Sequence, residues 1–141
     1  MKIIISHLSR AFNLTFDLVD AINADDLQLK LKDLPSNTIG EQIWCIVGAR
    51  ESYLKAIINQ RWMGFSCSLD STTIKERVLK TLKNSSEDCL VTLNKTELNE
   101  KQLELLLDLL EHEIQHHGQL IRYIYGNKLA FPKSWNERYT V

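Results

Sequence analysis

The chain has 141 residues, 44% hydrophobic and 25% charged, with 17 basic against 18 acidic side chains for a formal charge of −1. That is the size of a single domain, read here as residues 1–141, with enough apolar material for one core. The even scatter of charge leaves no basic stripe to follow a phosphate backbone, so nucleic acid is not an expected partner.

The opening MKIIISHLSR holds only three isoleucines before Ser6 and His7, too few for a secretory core. No apolar run approaches the ~20 residues of a membrane span. No membrane partner is expected, and the expected location is cytoplasmic. From the N-terminus, Leu8, Phe12, Phe16, Val19 and Ile22 recur at helical spacing and mark a first amphipathic helix that fades near Asn23 to Asp26. A loop with Pro35 follows. TIGE, Thr38 to Glu41, has the pattern of a capping box and predicts a second helix to about Arg61, ended with help from Gly64.

TIKE, Thr73 to Glu76, repeats the capping pattern ahead of a third helix. Ile74, Val78, Leu82, Cys89 and Leu93 give that helix a narrow apolar stripe, interrupted at Ser85 and Ser86. A fourth, the longest and most apolar, starts near Asn99 with NEKQ as its cap and runs until Gly126 stops it. The remainder, residues 127–141, has no helical period; Phe131, Pro132 and Trp135 are expected to cover one end of the assembly rather than form another element. With only five glycines and two prolines, apolar spacings of three and four, and connections read as short, the predicted class is all-α, a four-helix bundle.

Cys45, Cys67 and Cys89 are an odd number without C-x-x-C spacing, which suits reduced thiols better than disulfides or a zinc ribbon. The chemistry-bearing stretch is HEIQHHGQ, His112 to Gln119. At ~100° per residue, His112 and His116 differ by about 40° and present two imidazoles to one point. Leu105, Leu106, Leu109, Leu120, Ile121 and Ile124 share the inward half of that helix, and Glu104, Asp108, Glu111, Gln115 and Arg122 the outward half. His112 falls at the edge of the inward half, and Glu113, His116 and His117 within it. Unsatisfied buried polar groups cost about 1–3 kcal/mol each, so four together call for a metal, a ligand or a network. The competing reading is an edge group bonded to carbonyls and carboxylates of neighbouring helices.

His112 to His116 also satisfies H-E-x-x-H, the zinc-protease pattern. A protease needs a third ligand further along and a strand edge for its substrate. The only carboxylate side chain beyond the motif is Glu137, in the unpatterned tail, and no strand is predicted, so the match is read as coincidence.

HEIQHHGQLIRYIYGNKLAFPKSW, taken with TIGEQIWCIVGARESYL, resembles the DinB-like family of bacterial four-helix-bundle proteins, related to the bacillithiol and mycothiol S-transferases. The H-x-x-x-H-H-G-Q-L stretch is the most specific part, and a looser likeness extends over nearly the whole chain. The resemblance implies a divalent metal, zinc, nickel or iron, held by three histidines: two on the last long helix and one from the middle of the second. Carried over, the first two fall on His112 and His116. The third falls on Cys45, where the family has histidine. The likeness further implies thiol transfer to a small electrophile and a homodimer.

Cysteine is a legitimate zinc ligand, and mixed thiolate and imidazole sets with an open position occur in catalytic sites. Cys45 reads equally as a small residue where two helices approach closely. Glu41 and Gln42, one turn earlier, could take the free N–H of a ligating histidine or replace the missing ligand. Glu113, His117 and Glu41 are the candidate general bases. Arg50, on the apolar face of its helix, is expected either to meet a carboxylate, with Glu113 the candidate, or to snorkel outward. Trp44, Trp62, Tyr53 and Tyr123 could line a pocket or simply be core. Two functions remain open: a metal-dependent enzyme acting on a small molecule such as a thiol, and a bundle without metal serving as a binding or stress-response protein.

Overall fold

The computed structural model of the chain describes residues 1–141 as five helices and no strand: α1 (Lys2–Ala21), α2 (Ile39–Asn59), α3 (Lys75–Lys95), α4 (Glu100–Gly126) and α5 (Lys133–Tyr139). The protein is all-α. α1 packs on α3 and α4, and α2 packs on the same two, so the long helices form a ring in which α1 faces α2 across a shared interior. No helix is long and apolar enough to cross a membrane.

Helix starts follow their caps. Thr38 Oγ1 accepts the Glu41 N–H at 3.1 Å while Glu41 Oε2 accepts the Thr38 N–H at 2.7 Å. Asn99 and Gln102 exchange the same pair of bonds at 3.0 Å each. Both satisfy amides that the first turn leaves orphaned.

Several boundaries differ from the sequence reading. α1 starts at Lys2, ahead of its first strongly apolar position, because Ile5 already packs inward. Past Asn23 the chain continues into a 3-10 turn, Ala24–Gln28, that buries Leu27. TIKE is not a capping box: α3 starts at Lys75 without a side-chain cap, Ile74 is exposed, and Ser71 Oγ instead accepts the Thr73 and Ile74 amides. Ser85 does not interrupt the α3 stripe, since it is buried with its hydroxyl donating to the Leu82 carbonyl at 3.1 Å.

α4 ends at Gly126 as predicted, but neither glycine supplies the left-handed residue that closes its helix. α2 ends on Gln60 in the left-handed region at φ 55, and Gly64, at φ 90, lies in the loop beyond. At the end of α4 the left-handed residue is Lys128, at φ 56; a Cβ on Gly126 would sit 3.3 Å from Leu31, so that position serves close approach instead. Connections are also longer than predicted: residues 22–38 and 60–74 separate the first three long helices, and only residues 96–99 make a tight link. The tail does form an element. α5 lays a fully buried Trp135 against α1, with Nε1 donating to the Leu14 carbonyl at 2.6 Å.

The apolar interior is divided in two. One cluster gathers Leu14, Leu18, Ile43, Val78, Leu120 and Trp135, and the other Ile5, Phe12, Ala49, Leu93 and Leu106. Between them every long helix contributes buried polar groups: Thr15 from α1, Arg50 from α2, Ser85 from α3, and Glu113 and His117 from α4. This polar layer sets the level at which the candidate site lies.

Candidate metal centre

α2 and α4 are direct neighbours, and Cys45 on the first meets His112 and His116 on the second. Cys45 Sγ lies 3.8 Å from His112 Nε2, and the two Nε2 atoms are 3.1 Å apart. One donor atom from each residue falls within 4.8 Å of the others. A tetrahedral ion with bonds of ~2.0–2.1 Å to nitrogen and ~2.3 Å to sulfur sets nitrogen ligands about 3.3 Å apart and nitrogen and sulfur about 3.6 Å apart. Two of the three separations therefore stand close to the edges of such a tetrahedron, and the third falls within 4.8 Å. His116 is buried, whereas Cys45 and His112 are half-buried.

The orientation of His116 is fixed from behind. Its Nδ1 meets Gln42 Oε1 at 2.5 Å, and a carbonyl oxygen can only accept, so the proton is on Nδ1 and the Nε2 lone pair points at the cluster. Gln42 Nε2 in turn donates to Asn37 Oδ1 at 2.8 Å, and the Tyr123 hydroxyl donates to the same oxygen at 2.6 Å. Such a backing partner is what a ligating histidine normally has. Of the two residues proposed for this task, Gln42 performs it, while Glu41 is exposed and committed to the Thr38 cap. The Thr38 hydrogen bonds hold the Glu41 carboxyl below its usual range.

Glu113 and His117, on the same two turns of α4, face the polar layer instead of the cluster. Arg50 donates through Nε to Glu113 Oε2 at 3.1 Å and through Nη2 to Oε1 at 2.6 Å, and its Nη1 reaches the Leu82 carbonyl at 3.2 Å. Both side chains are wholly buried, and Phe12 stacks 4.0 Å from the guanidinium. Burial pushes the Glu113 carboxyl up, but Arg50 outweighs it and holds the carboxyl below its ordinary value. Thr15 donates to Glu113, so His117 must carry its proton on Nε2, which lies 2.8 Å from Thr15 Oγ1; Nδ1 then accepts the Tyr139 hydroxyl at 2.7 Å. Glu113 thus does meet Arg50, and the glutamate of H-E-x-x-H is not free to act as a base.

Burial lowers the His116 and His117 imidazoles from 6.5 to about 4, and lowers His112 too. All three stay neutral at physiological pH, as metal ligation or lone-pair acceptance requires. Burial also raises the Cys45 thiol. Between pH 6.5 and about 4 the unfolded chain binds more protons at these histidines than the folded chain. Folding stability is therefore complete above 6.5 and falls as pH drops through that window. Urea midpoints measured at pH 7 and pH 5 in the presence of a chelator should show the loss; equal midpoints would contradict these protonation states.

Aromatic side chains flank the cluster without enclosing it. Trp44 packs on Phe65 at 5.0 Å between ring centres, and Tyr53 lies 5.3 Å from Trp62 and 6.5 Å from His112. Phe65 rests on Gly48, where any Cβ would overlap its ring. The Cys67 thiol donates to the Trp44 carbonyl at 3.3 Å. Tyr123 belongs to the core and the His116 relay. A cleft of about 490 Å³ opens between α1 and α5 and includes none of the three donors. Volume is the weaker guide here, because an ion needs convergent lone pairs rather than space.

Sequence reasoning missed Asn37, Thr15 and Tyr139. Asn37 sits in a loop without period; Thr15 meets Glu113 and His117 at sequence separations of 98 and 102, and Tyr139 meets His117 at 22, distances that no local pattern reports. This chain matches no family model and no curated protein.

Proposed function

We propose that the protein is a DinB-like four-helix bundle that holds a divalent metal through Cys45, His112 and His116 and acts on a small molecule, with thiol S-transfer as the reaction class. The observation that carries the reading is the convergence of one thiol and two imidazole lone pairs within 4.8 Å, with His116 backed by Gln42. The thiolate and imidazole set favours zinc, and nickel or iron are also compatible. A divalent ion with an open position supplies Lewis acidity toward a thiol or a water.

The chain's own groups then have distinct tasks. Gln42 and Asn37 keep the His116 lone pair aimed at the cluster, Cys45 contributes the soft ligand, and Tyr53 lies beside His112. Glu113 has both oxygens on Arg50, and His117 is bonded at both nitrogens, so proton transfer falls to the bound thiol and solvent rather than to these residues. A homodimer fits the exposed Trp44, Trp62, Met63 and Phe65 near the group, which offer it an apolar face.

One observation favours a second reading, a bundle without metal that serves as a binding or stress-response protein. The 3.1 Å between His112 and His116 is also a good hydrogen bond if His112 Nε2 carries a proton, so the pair can satisfy itself. Metal analysis of protein produced without a polyhistidine tag separates the two. The metal reading expects close to one equivalent in the wild type and its loss in Cys45→Ala and in His116→Ala. An empty wild type, with both variants as stable as it is, would establish the second.

A further inference from the structure

On the side of the ring away from Cys45, α5 runs along the polar face of α1 and leaves a cleft of about 490 Å³. Donors crowd its walls: the Arg10 and Arg138 guanidiniums, the Ser6, Ser9 and Ser134 hydroxyls, and the Asn13 amide. The same two arginines also wall a smaller cleft of about 90 Å³ beside His7 and Leu110.

Two features of this cleft bear on what it can hold. Neither Arg10 nor Arg138 takes part in any of the protein's ion pairs; Arg10 reaches only His7 Nδ1, at 3.2 Å, and Arg138 lies 5.5 Å from the Tyr139 ring centre. Both arginines are exposed, and a groove lined by two cations without carboxylate partners favours an anion. Ser134 Oγ, moreover, is the one buried side-chain polar atom with no hydrogen-bond partner. A buried hydroxyl without a partner costs about 1–3 kcal/mol, which a ligand would recover.

We propose that the cleft between α1 and α5 binds the oxyanion head, phosphate or carboxylate, of a small ligand, with Arg10 and Arg138 as the charged clamp and Ser134 as a hydroxyl partner. The walls also carry two carboxylates, Asp17 and Glu137. Glu137 is engaged by Lys133 at 3.5 Å. Asp17 lies two helical turns from Arg10 along α1, about 10 Å away at ~1.5 Å per residue, and marks the opposite end, where it would repel a second negative group. The cleft therefore prefers a ligand with one anionic head. Arginine suits such a head because its planar fork meets two oxygens at once. The site is independent of any metal at Cys45.

The test is an amide NMR titration with inorganic phosphate, repeated with acetate, each against chloride at matched ionic strength. Saturable shifts confined to residues 6–17 and 133–139 are expected with at least one probe. Arg10→Gln and Arg138→Gln should each weaken that binding at least fivefold, while Arg77→Gln, from an exposed pair on α3, should leave it unchanged. Ser134→Ala should weaken it without lowering the unfolding midpoint, since the hydroxyl bonds nothing in the fold. Shifts that fail to saturate with both probes, or equal weakening in Arg77→Gln, would overturn the proposal as general charge screening.

Discussion

Glu113→Ala is expected to destabilise the protein by about 3–5 kcal/mol, because it strands the Arg50 charge in a wholly buried position. The guanidinium would keep only the Leu82 carbonyl and the Phe12 ring as partners. Arg50→Met should cost a similar amount by leaving the carboxylate alone with Thr15. The pair itself is worth much less than either loss, since removing two charges from water consumes most of their attraction. The double variant Arg50→Met, Glu113→Leu should therefore recover most of the stability. Urea unfolding of the four proteins closes the cycle. Single losses below about 1 kcal/mol would show that the polar layer is hydrated rather than sealed.

Trp135→Ala should cost about 3–5 kcal/mol, the range for emptying a large aromatic site. The indole is fully buried in the cluster with Leu14, Leu18 and Tyr123, and its N–H is bonded to the Leu14 carbonyl. A seven-residue helix cannot hold itself together in water, so α5 depends on this anchor. Its loss should also free Tyr139 from His117. Hydrogen exchange would then show the amides of 133–139 unprotected while those of α2 and α4 remain slow. An unchanged exchange pattern would mean that α5 is held by something other than the indole.

The contrast between these residues shows what local sequence could reveal. The i, i+4 pair His112 and His116, the capping boxes at Thr38 and Asn99, and the inward face of α4 are periodic, and periodicity is visible along a chain. Arg50 and Glu113 were legible as a pair because an isolated charge on each of two apolar faces needs a partner. α5 was not legible, since seven residues give less than two full turns and its stability comes from one side chain reaching α1. Gly64 and Gly126 misled for a related reason: Gln60 and Lys128 take the left-handed positions, and nothing in their side chains announces it. The division of labour within one short stretch was also hidden. His116 and His117 are consecutive, yet one faces Cys45 and the other Thr15 and Tyr139, because adjacent residues on a helix diverge by ~100°.

That divergence bears on the chemistry. The residues named as bases, Glu113 and His117, form part of a structural layer that fixes the level of α4 against α1 and α2. The cluster one face away inherits its geometry from that layer and from Gln42. Variants of Glu113 would consequently act on metal affinity through helix placement and not through lost proton transfer.

The measurement that bears most directly on the proposed metal site is X-ray absorption at the zinc edge for protein loaded with one equivalent of zinc. One sulfur at ~2.3 Å and two imidazole nitrogens at ~2.0–2.1 Å are predicted, with the sulfur absent in Cys45→Ser. A wild-type shell of oxygen and nitrogen alone, or a sulfur that persists in Cys45→Ser, would contradict the assignment of Cys45, His112 and His116 as the ligands.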